Sequence, residues 1–166
     1  MKLIKLTQGQ VAMVDDADYE WLNQYKWYAH KRSSGNGYDV IRKVHIEGKQ
    51  RMLYMARYIL DLDFGNPLEA DHKNHRTLDN SRDNLRACTH QENVCNKKLL
   101  VGTMSQFKGV SRSKGNKKWR VRIGINNTVK CLGYFDSEIQ AAKVYDKAAK
   151  VVHGDYACFN FNNQTI

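Results

Sequence analysis

The sequence predicts an α+β fold in two parts, on three observations. Short segments of alternating apolar and polar residues recur between turn signals along all 166 residues. Two capping boxes, Thr89 with Glu92 and Ser137 with Gln140, each open a helix directly after strand-like sequence. The charge also changes character midway: Lys and Arg outnumber Asp and Glu 27 to 17, a formal net charge of +10, yet from Asn93 to Phe135 ten basic residues stand with no acidic one. Together these predict a β-β-α module followed by a three-stranded antiparallel sheet packed on one helix.

Taken in order, "QVAMVD" reads as a strand, "DADYEWLNQY" as a polar helix and "KWYAHKR" as a strand. "SSGNG" is a hairpin signal leading into "YDVIRKVHIEG", and "QRMLY" pairs back across Gly48. "MARYIL" is short enough for a helical turn or a strand end, and Pro67, the only proline, marks the break that follows. "LEADH" and "LRACT" then flank the polar stretch "KNHRTLDNSRDN" as two short strands. The first capping box starts a helix running to about Lys98, with Asn93 one turn inside it.

Residues 97–106, "KKLLVGTMSQ", lack periodicity and read as a linker between a first module at 1–96, its β-β-α core at about 69–98, and a second at 107–161. In the second module "FKGVSR", "WRVRIGI" and "VKCLGYF" form an antiparallel meander. Ile139, Ala142, Tyr145, Ala149 and Val152 recur at helical spacing, and Gly154 ends that helix. Alternation places Trp119, Val121 and Ile123 on one sheet face and Arg120 and Arg122 on the other.

Composition narrows the partners. A one-sign basic segment calls for a polyanion, either nucleic acid or an anionic surface. No apolar run approaches the 18 or so residues of a membrane span, and "MKLIKLTQGQ" lacks a signal peptide's apolar centre, so the expectation is an intracellular protein with no membrane partner. An amphipathic helix with a cationic face is also absent from the pattern. The four cysteines, Cys88, Cys95, Cys131 and Cys158, include no C-x-x-C pair, which argues for reduced thiols over a zinc ribbon or a disulfide framework.

The polar stretch has the parts for phosphodiester hydrolysis, which needs a divalent cation and a base near neutral pH. Asp71 and Asn93 carry hard oxygen donors suited to Mg²⁺ or Mn²⁺, His72 can accept a proton, and Asn84 can bridge two backbone groups at once. If Asp71 and His72 both serve one site, the strand must bend or end there, because neighbours on a strand point to opposite faces. Composition alone favours a surface loop, since Asn, Asp and His are turn residues.

"DH", "LDN", "NLR" and "QEN-V-x-N" between Ala70 and Asn96 resemble, intervals included, the HNH endonuclease family, in particular its phage and intron homing type. The resemblance implies a ββα-metal unit in which Asp71 and Asn93 hold Mg²⁺ or Mn²⁺, His72 is the general base and Asn84 braces the loop. Lys108 to Phe161 resembles the plant ethylene-response-factor, or APETALA-type, DNA-binding domain, through G-V, W-R-V-R-I, L-G-Y-F-D, A-A-x-x-Y-D and the terminal N-F. That likeness implies a sheet in the major groove of double-stranded DNA, with Lys108, Ser111, Arg112, Arg120 and Arg122 as contacts; Lys114 and Lys130, and Lys97 and Lys98 from the linker, are further candidate DNA contacts in the basic segment. The stretch "LTQGQVAMVDDADYEWLNQYKWYAHK", Leu6 to Lys31, is similar to the leader of phage HNH proteins and is expected to complete the nuclease sheet. The whole then reads as a monomeric, phage-encoded homing endonuclease acting in a bacterial cytoplasm. The alternative is a DNA-binding regulator whose polar stretch is purely structural.

Overall fold

The structure, a computed structural model, describes residues 1–33, 37–97, 104–112, 115, 117–126 and 128–161. The chain divides into two compact units, Met1–Asn93 and Val94–Ile166. Both are α+β with small antiparallel sheets.

In the first unit β1 (Lys2–Lys5) and β2 (Val11–Val14) pair as an antiparallel ribbon, followed by α1 (Asp16–Asn23). β3 (Tyr28–Lys31), β4 (Tyr38–Ile46) and β5 (Lys49–Tyr54) form a second sheet in that order, and α2 (Met55–Ile59) leads away from it. "MARYIL" is thus a helical turn. β6 (Glu69–His72) and β7 (Leu85–Cys88) make a third, two-stranded sheet, and α3 (His90–Asn96) follows. The sequence reading missed β1, whose "KLIK" has too few residues to display a period; its Ile4 is nevertheless buried opposite Ala12.

The expectation that Leu6 to Lys31 completes the nuclease sheet is corrected. β1–β2, β3–β5 and β6–β7 remain separate sheets, and the ribbon meets the β6–β7 connection through a single parallel bridge between Met13 and Asp79. What joins them is the core. Ile4, Val14, Leu22, Trp27, Met55, Ile59 and Leu85 pack in one cluster, where each fully buried large side chain contributes about 1.5–3 kcal/mol. Trp27 is 2 % exposed and donates its indole N–H to the Leu22 carbonyl at 2.9 Å, and Trp21 meets Tyr58 edge to face at 5.1 Å. The Arg42 guanidinium lies 3.7 Å from the Tyr25 ring centroid, so these aromatic side chains serve packing.

In the second unit β8 (Val110–Arg112), β9 (Trp119–Ile125) and β10 (Thr128–Phe135) form a meander with β9 central, covered by α4 (Glu138–His153) and ended by a 3-10 turn, Gly154–Tyr156. The Ser137 hydroxyl caps α4 by accepting from the Gln140 N–H. Val110, Val121 and Ile123 pack against Ala141, Ala142, Tyr145 and Ala149. Ile139 and Val152 do not join this core: they are 55 % and 38 % exposed, because the inward stripe runs through the alanines. Gly109 at φ +77 passes under the Tyr145 ring, where a Cβ would collide with the ring and sit 2.8 Å from the Arg122 carbonyl oxygen.

The "A-A-x-x-Y-D" and "N-F" motifs turn out to be one device. Asp146, 1 % exposed, accepts from the Asn160 N–H (2.9 Å), the Asn160 side-chain amide (3.0 Å) and the Phe161 N–H (2.9 Å). Asn160 in turn accepts from the Lys108 N–H at 2.6 Å and donates to the Lys108 carbonyl at 3.1 Å. A helix carboxylate thereby fixes the chain end, which fixes the entry to β8. No helix among the described residues is long and apolar enough to cross a membrane.

Candidate functional site

Residues 73–84 join β6 to β7, and their order comes from side-chain hydrogen bonds. Asn84, buried, accepts on Oδ1 from the Asn74 N–H (2.9 Å) and donates from Nδ2 to the Asp79 carbonyl (2.7 Å), linking the two ends of the loop. The Asp79 carboxylate accepts from Asn74 Nδ2 (2.7 Å) and the Ser81 hydroxyl (2.7 Å). Burial alone would raise the Asp79 pKa, but these hydrogen bonds outweigh it and hold the carboxyl below its ordinary value.

The loop is also clamped from outside. The Met13 N–H donates to the Leu78 carbonyl and the Asn80 N–H to the Met13 carbonyl, both at 2.8 Å. Arg82 grips both oxygens of buried Asp18 in α1 at 2.8 Å, and the Thr77 hydroxyl donates to the Tyr38 carbonyl at 2.6 Å. A solvated turn has no need of such anchors. Sequence reading missed Asp79, Asn80 and Arg82 as organisers; the available signal was the "LDN" spacing together with the acidic Asp15 and Asp18 upstream.

β6 ends at His72, so the imidazole turns into the loop while Asp71 and Glu69, two residues apart, share a face of the strand. His72 Nε2 lies 3.3 Å from Asn80 Oδ1. Asn80 Nδ2 donates to the Thr77 carbonyl at 3.4 Å, which orients the amide with its oxygen towards the imidazole. The proton therefore sits on Nε2 and the basic lone pair on Nδ1. Burial pushes the His72 pKa down, against the Asn80 hydrogen bond and the charges of Asp39, Asp71 and Asp79. The ring is thus neutral at pH 7.

Asp71 pairs across the strands with Arg86, whose Nη2 stands 2.6 Å and Nε 2.8 Å from Oδ2. On α3 the capping box is formed: the Thr89 N–H donates to Glu92 Oε2 at 2.8 Å and the Glu92 N–H to Thr89 Oγ1 at 3.3 Å. This positions Asn93, whose Nδ2 donates to Glu69 Oε2 at 2.5 Å. The other oxygen of Glu69 meets His90 Nδ1 at 2.7 Å. Glu69 was not singled out from sequence, because a glutamate at the start of a strand carries no periodic signal.

As a cation site the donors fit. The Asn93 nitrogen is held by Glu69, so its carbonyl oxygen is the end of the amide that would face a cation; the Asp71 carboxylate, paired with Arg86, would be the second hard oxygen donor of the kind that suits Mg²⁺ or Mn²⁺. Among the described residues no group of three or more His, Cys, Asp or Glu side chains could hold a metal. Cys88 is buried, its thiol pushed up to about 11 by burial. His75, at φ +63, is a turn residue whose N–H bonds back to the His72 carbonyl.

In the second unit cross-strand partners share a face. Ser111 opposes Arg120, which opposes Tyr134, and Arg122 opposes Cys131, so one face carries these side chains. Ser111 Oγ and Arg120 Nε are buried without a hydrogen-bond partner. Lys130 opposes inward-facing Ile123, so it leaves the sheet on the face opposite to Arg120 and Arg122. Arg112 opposes Trp119 and stacks 4.8 Å above its ring.

Lys108, one of the expected DNA contacts, has its ammonium bound within the second unit. Its ammonium donates to the carbonyls of Cys95 (2.5 Å) and Lys97 (2.7 Å), capping the end of α3, and burial pushes its pKa down. Lys97 is exposed. Lys98 and Lys114 lie outside the described residues.

No protein-family model matches the chain. A protein of Acanthamoeba polyphaga mimivirus named as an uncharacterized HNH endonuclease is 30 % identical over 156 residues, covering 92 % of this chain and 76 % of that protein. A two-part α+β chain with Asp71 and His72 closing one strand and Asn93 on the next helix is thus one of the HNH nucleases. The chain belongs to the HNH endonuclease family.

Proposed function

We propose that the chain is a DNA endonuclease that hydrolyses phosphodiester bonds with one Mg²⁺ or Mn²⁺ held by Asp71 and Asn93. The observation that carries this reading is His72 at the end of β6, neutral and oriented by Asn80, on the strand that also bears Asp71, with Asn84 bracing the loop behind it. Name and kind of the viral relative support it. When bound, the cation neutralises charge on the phosphate and the departing oxygen.

The residues supply the rest. His72 Nδ1 takes a proton from the attacking water, and Asn80 Oδ1 stabilises the imidazolium that results by accepting from Nε2. Arg86 keeps the Asp71 carboxylate aimed, and Asn84 keeps the loop from collapsing onto the base.

The second unit is read as an APETALA-type domain that binds duplex DNA through the face bearing Ser111, Arg120, Arg122 and Tyr134, with Lys97 and the lysines outside the sheet adding phosphate contacts. Two buried unpartnered polar atoms on that face suit a ligand that offers hydrogen-bond partners. A ribbon of this width fits the major groove. With about six phosphates neutralised, affinity should fall by roughly 10³ between 50 and 200 mM salt. The homing role, the phage source with action in a bacterial cytoplasm, and the monomeric state belong to the same proposal.

The test is digestion of supercoiled plasmid with and without Mg²⁺ or Mn²⁺, parent beside His72→Ala. Cleavage that needs metal and vanishes in the variant is expected. Retarded but uncut DNA with both proteins would favour the second reading, a non-catalytic DNA-binding regulator, for which the Asp71–Arg86 pair would be a purely structural link.

A further inference from the structure

From the Glu69 contacts we infer that Glu69 is the positioning residue of the cation site, fixing which atom of the Asn93 amide faces the metal. This deepens the proposal above and rests on its reading of Asp71 and Asn93 as ligands. An asparagine amide has two ends of similar shape and opposite polarity, and only the oxygen can bind a cation. Rotation by half a turn would present an N–H₂ group to the metal, so a site that uses asparagine needs something to forbid that rotation.

Glu69 does so. Its Oε2 accepts from Asn93 Nδ2 at 2.5 Å, a charge-assisted hydrogen bond that the flipped amide could not make, because two oxygens would then face each other. Glu69 is itself fixed at three further points, one on its carboxylate and two on its backbone. Oε1 meets His90 Nδ1 at 2.7 Å, the backbone pairs with Cys88 across the hairpin, and the Glu69 carbonyl accepts from the Cys88 thiol at 3.6 Å. His90 and Asn93 are three residues apart on α3, so they occupy one side of the helix and a single carboxylate can hold both. Because Glu69 and Asp71 share a face of β6, the strand sets the first ligand directly and the second through Glu69.

The role separates from that of a ligand through the choice of substitution. Glutamine keeps an oxygen for the Asn93 amide and offers an N–H to the imidazole Nδ1, so Glu69→Gln preserves both contacts without the charge. Alanine removes both, and Glu69→Asp withdraws the carboxylate by one methylene. Partners of metal ligands typically change affinity 10- to 100-fold when removed.

The experiment is Mn²⁺ titration of the full-length protein followed by electron paramagnetic resonance, without DNA, on parent, Glu69→Ala, Glu69→Asp, Glu69→Gln and Asp71→Ala, with thermal melting alongside. The expected result is Mn²⁺ affinity reduced at least 10-fold in Glu69→Ala and Glu69→Asp but within about threefold of the parent in Glu69→Gln, and plasmid cleavage by Glu69→Ala recovering at high Mg²⁺. Should Glu69→Ala fail to fold, the contrast between Asp and Gln carries the same test. Parent-like affinity in a folded Glu69→Ala, or in Glu69→Asp, overturns the inference. Equal loss in Glu69→Gln and Glu69→Ala overturns it too, making Glu69 a ligand in its own right. Parent protein whose Mn²⁺ binding is absent or unaffected by Asp71→Ala would instead bring down the cation site itself, and this inference with it.

Discussion

In the loop between β6 and β7 the buried residues are Asp79, Asn80, Ser81 and Asn84, whereas β9 and α4 of the second unit bury Val121, Ile123, Ala141, Ala142, Tyr145 and Ala149, with Asp146 the one buried charge on those two elements. Both regions are ordered, by different means. The sheet and helix gain from apolar burial, which is non-directional and tolerates small changes of shape. The loop depends on paired polar groups, each of which costs free energy when its partner is removed. A loop built from polar side chains cannot be sealed with hydrocarbon, and hydrogen bonding is the remaining way to hold it still.

That contrast can be broken most severely in the second unit, at its polar exception. Asp146→Ala leaves the Asn160 and Phe161 amides without their acceptor, and the account expects a loss of about 3 kcal/mol in urea unfolding. A loss below about 1 kcal/mol would mean that the apolar core alone orders the chain end. Gly109→Ala is expected to cost a similar amount, read as a fall in melting temperature, because the positive φ and the Tyr145 ring both reject a Cβ.

In the loop, Asn84→Ala removes both hydrogen bonds of one side chain and should cost about 2 kcal/mol of stability. Its sharper signature is faster amide exchange of Asn74, with protection on β9 unchanged. The smallest effect concerns thiols. Cys131 is exposed, while Cys88 is buried with its pKa pushed up to about 11, so iodoacetamide should modify Cys131 first and leave Cys88 intact until the first unit opens.

The same contrast explains what the sequence made legible. β9 was readable because Trp119, Val121 and Ile123 alternate with Arg120 and Arg122, and α4 because a capping box precedes an apolar repeat. Both are periodic signals. The Thr89–Glu92 box likewise placed Asn93 on α3. Loop order has no period: Asn80 on His72, Arg82 on Asp18 and Glu69 on Asn93 join residues 8, 64 and 24 positions apart by single contacts, which composition does not encode. The surroundings of Lys108 and Lys130 were hidden for a related reason, since a lysine looks alike in sequence whether it meets solvent, a helix end or the flank of a sheet.

The central claim is a division of labour, with chemistry at the end of β6 and DNA holding on the basic sheet face, and one crossed measurement tests it. Duplex DNA binding at two salt concentrations and Mg²⁺-dependent plasmid cleavage would be recorded for the parent, His72→Ala and the double variant Arg120→Ala/Arg122→Ala. The account predicts that His72→Ala binds with parental affinity and salt slope while cleavage falls by about 10²–10⁴-fold. In the double variant, the log–log salt slope of binding should drop by about two phosphate contacts, with cleavage restored at saturating protein. Loss of binding in His72→Ala, or an unchanged salt slope in the double variant, would contradict it.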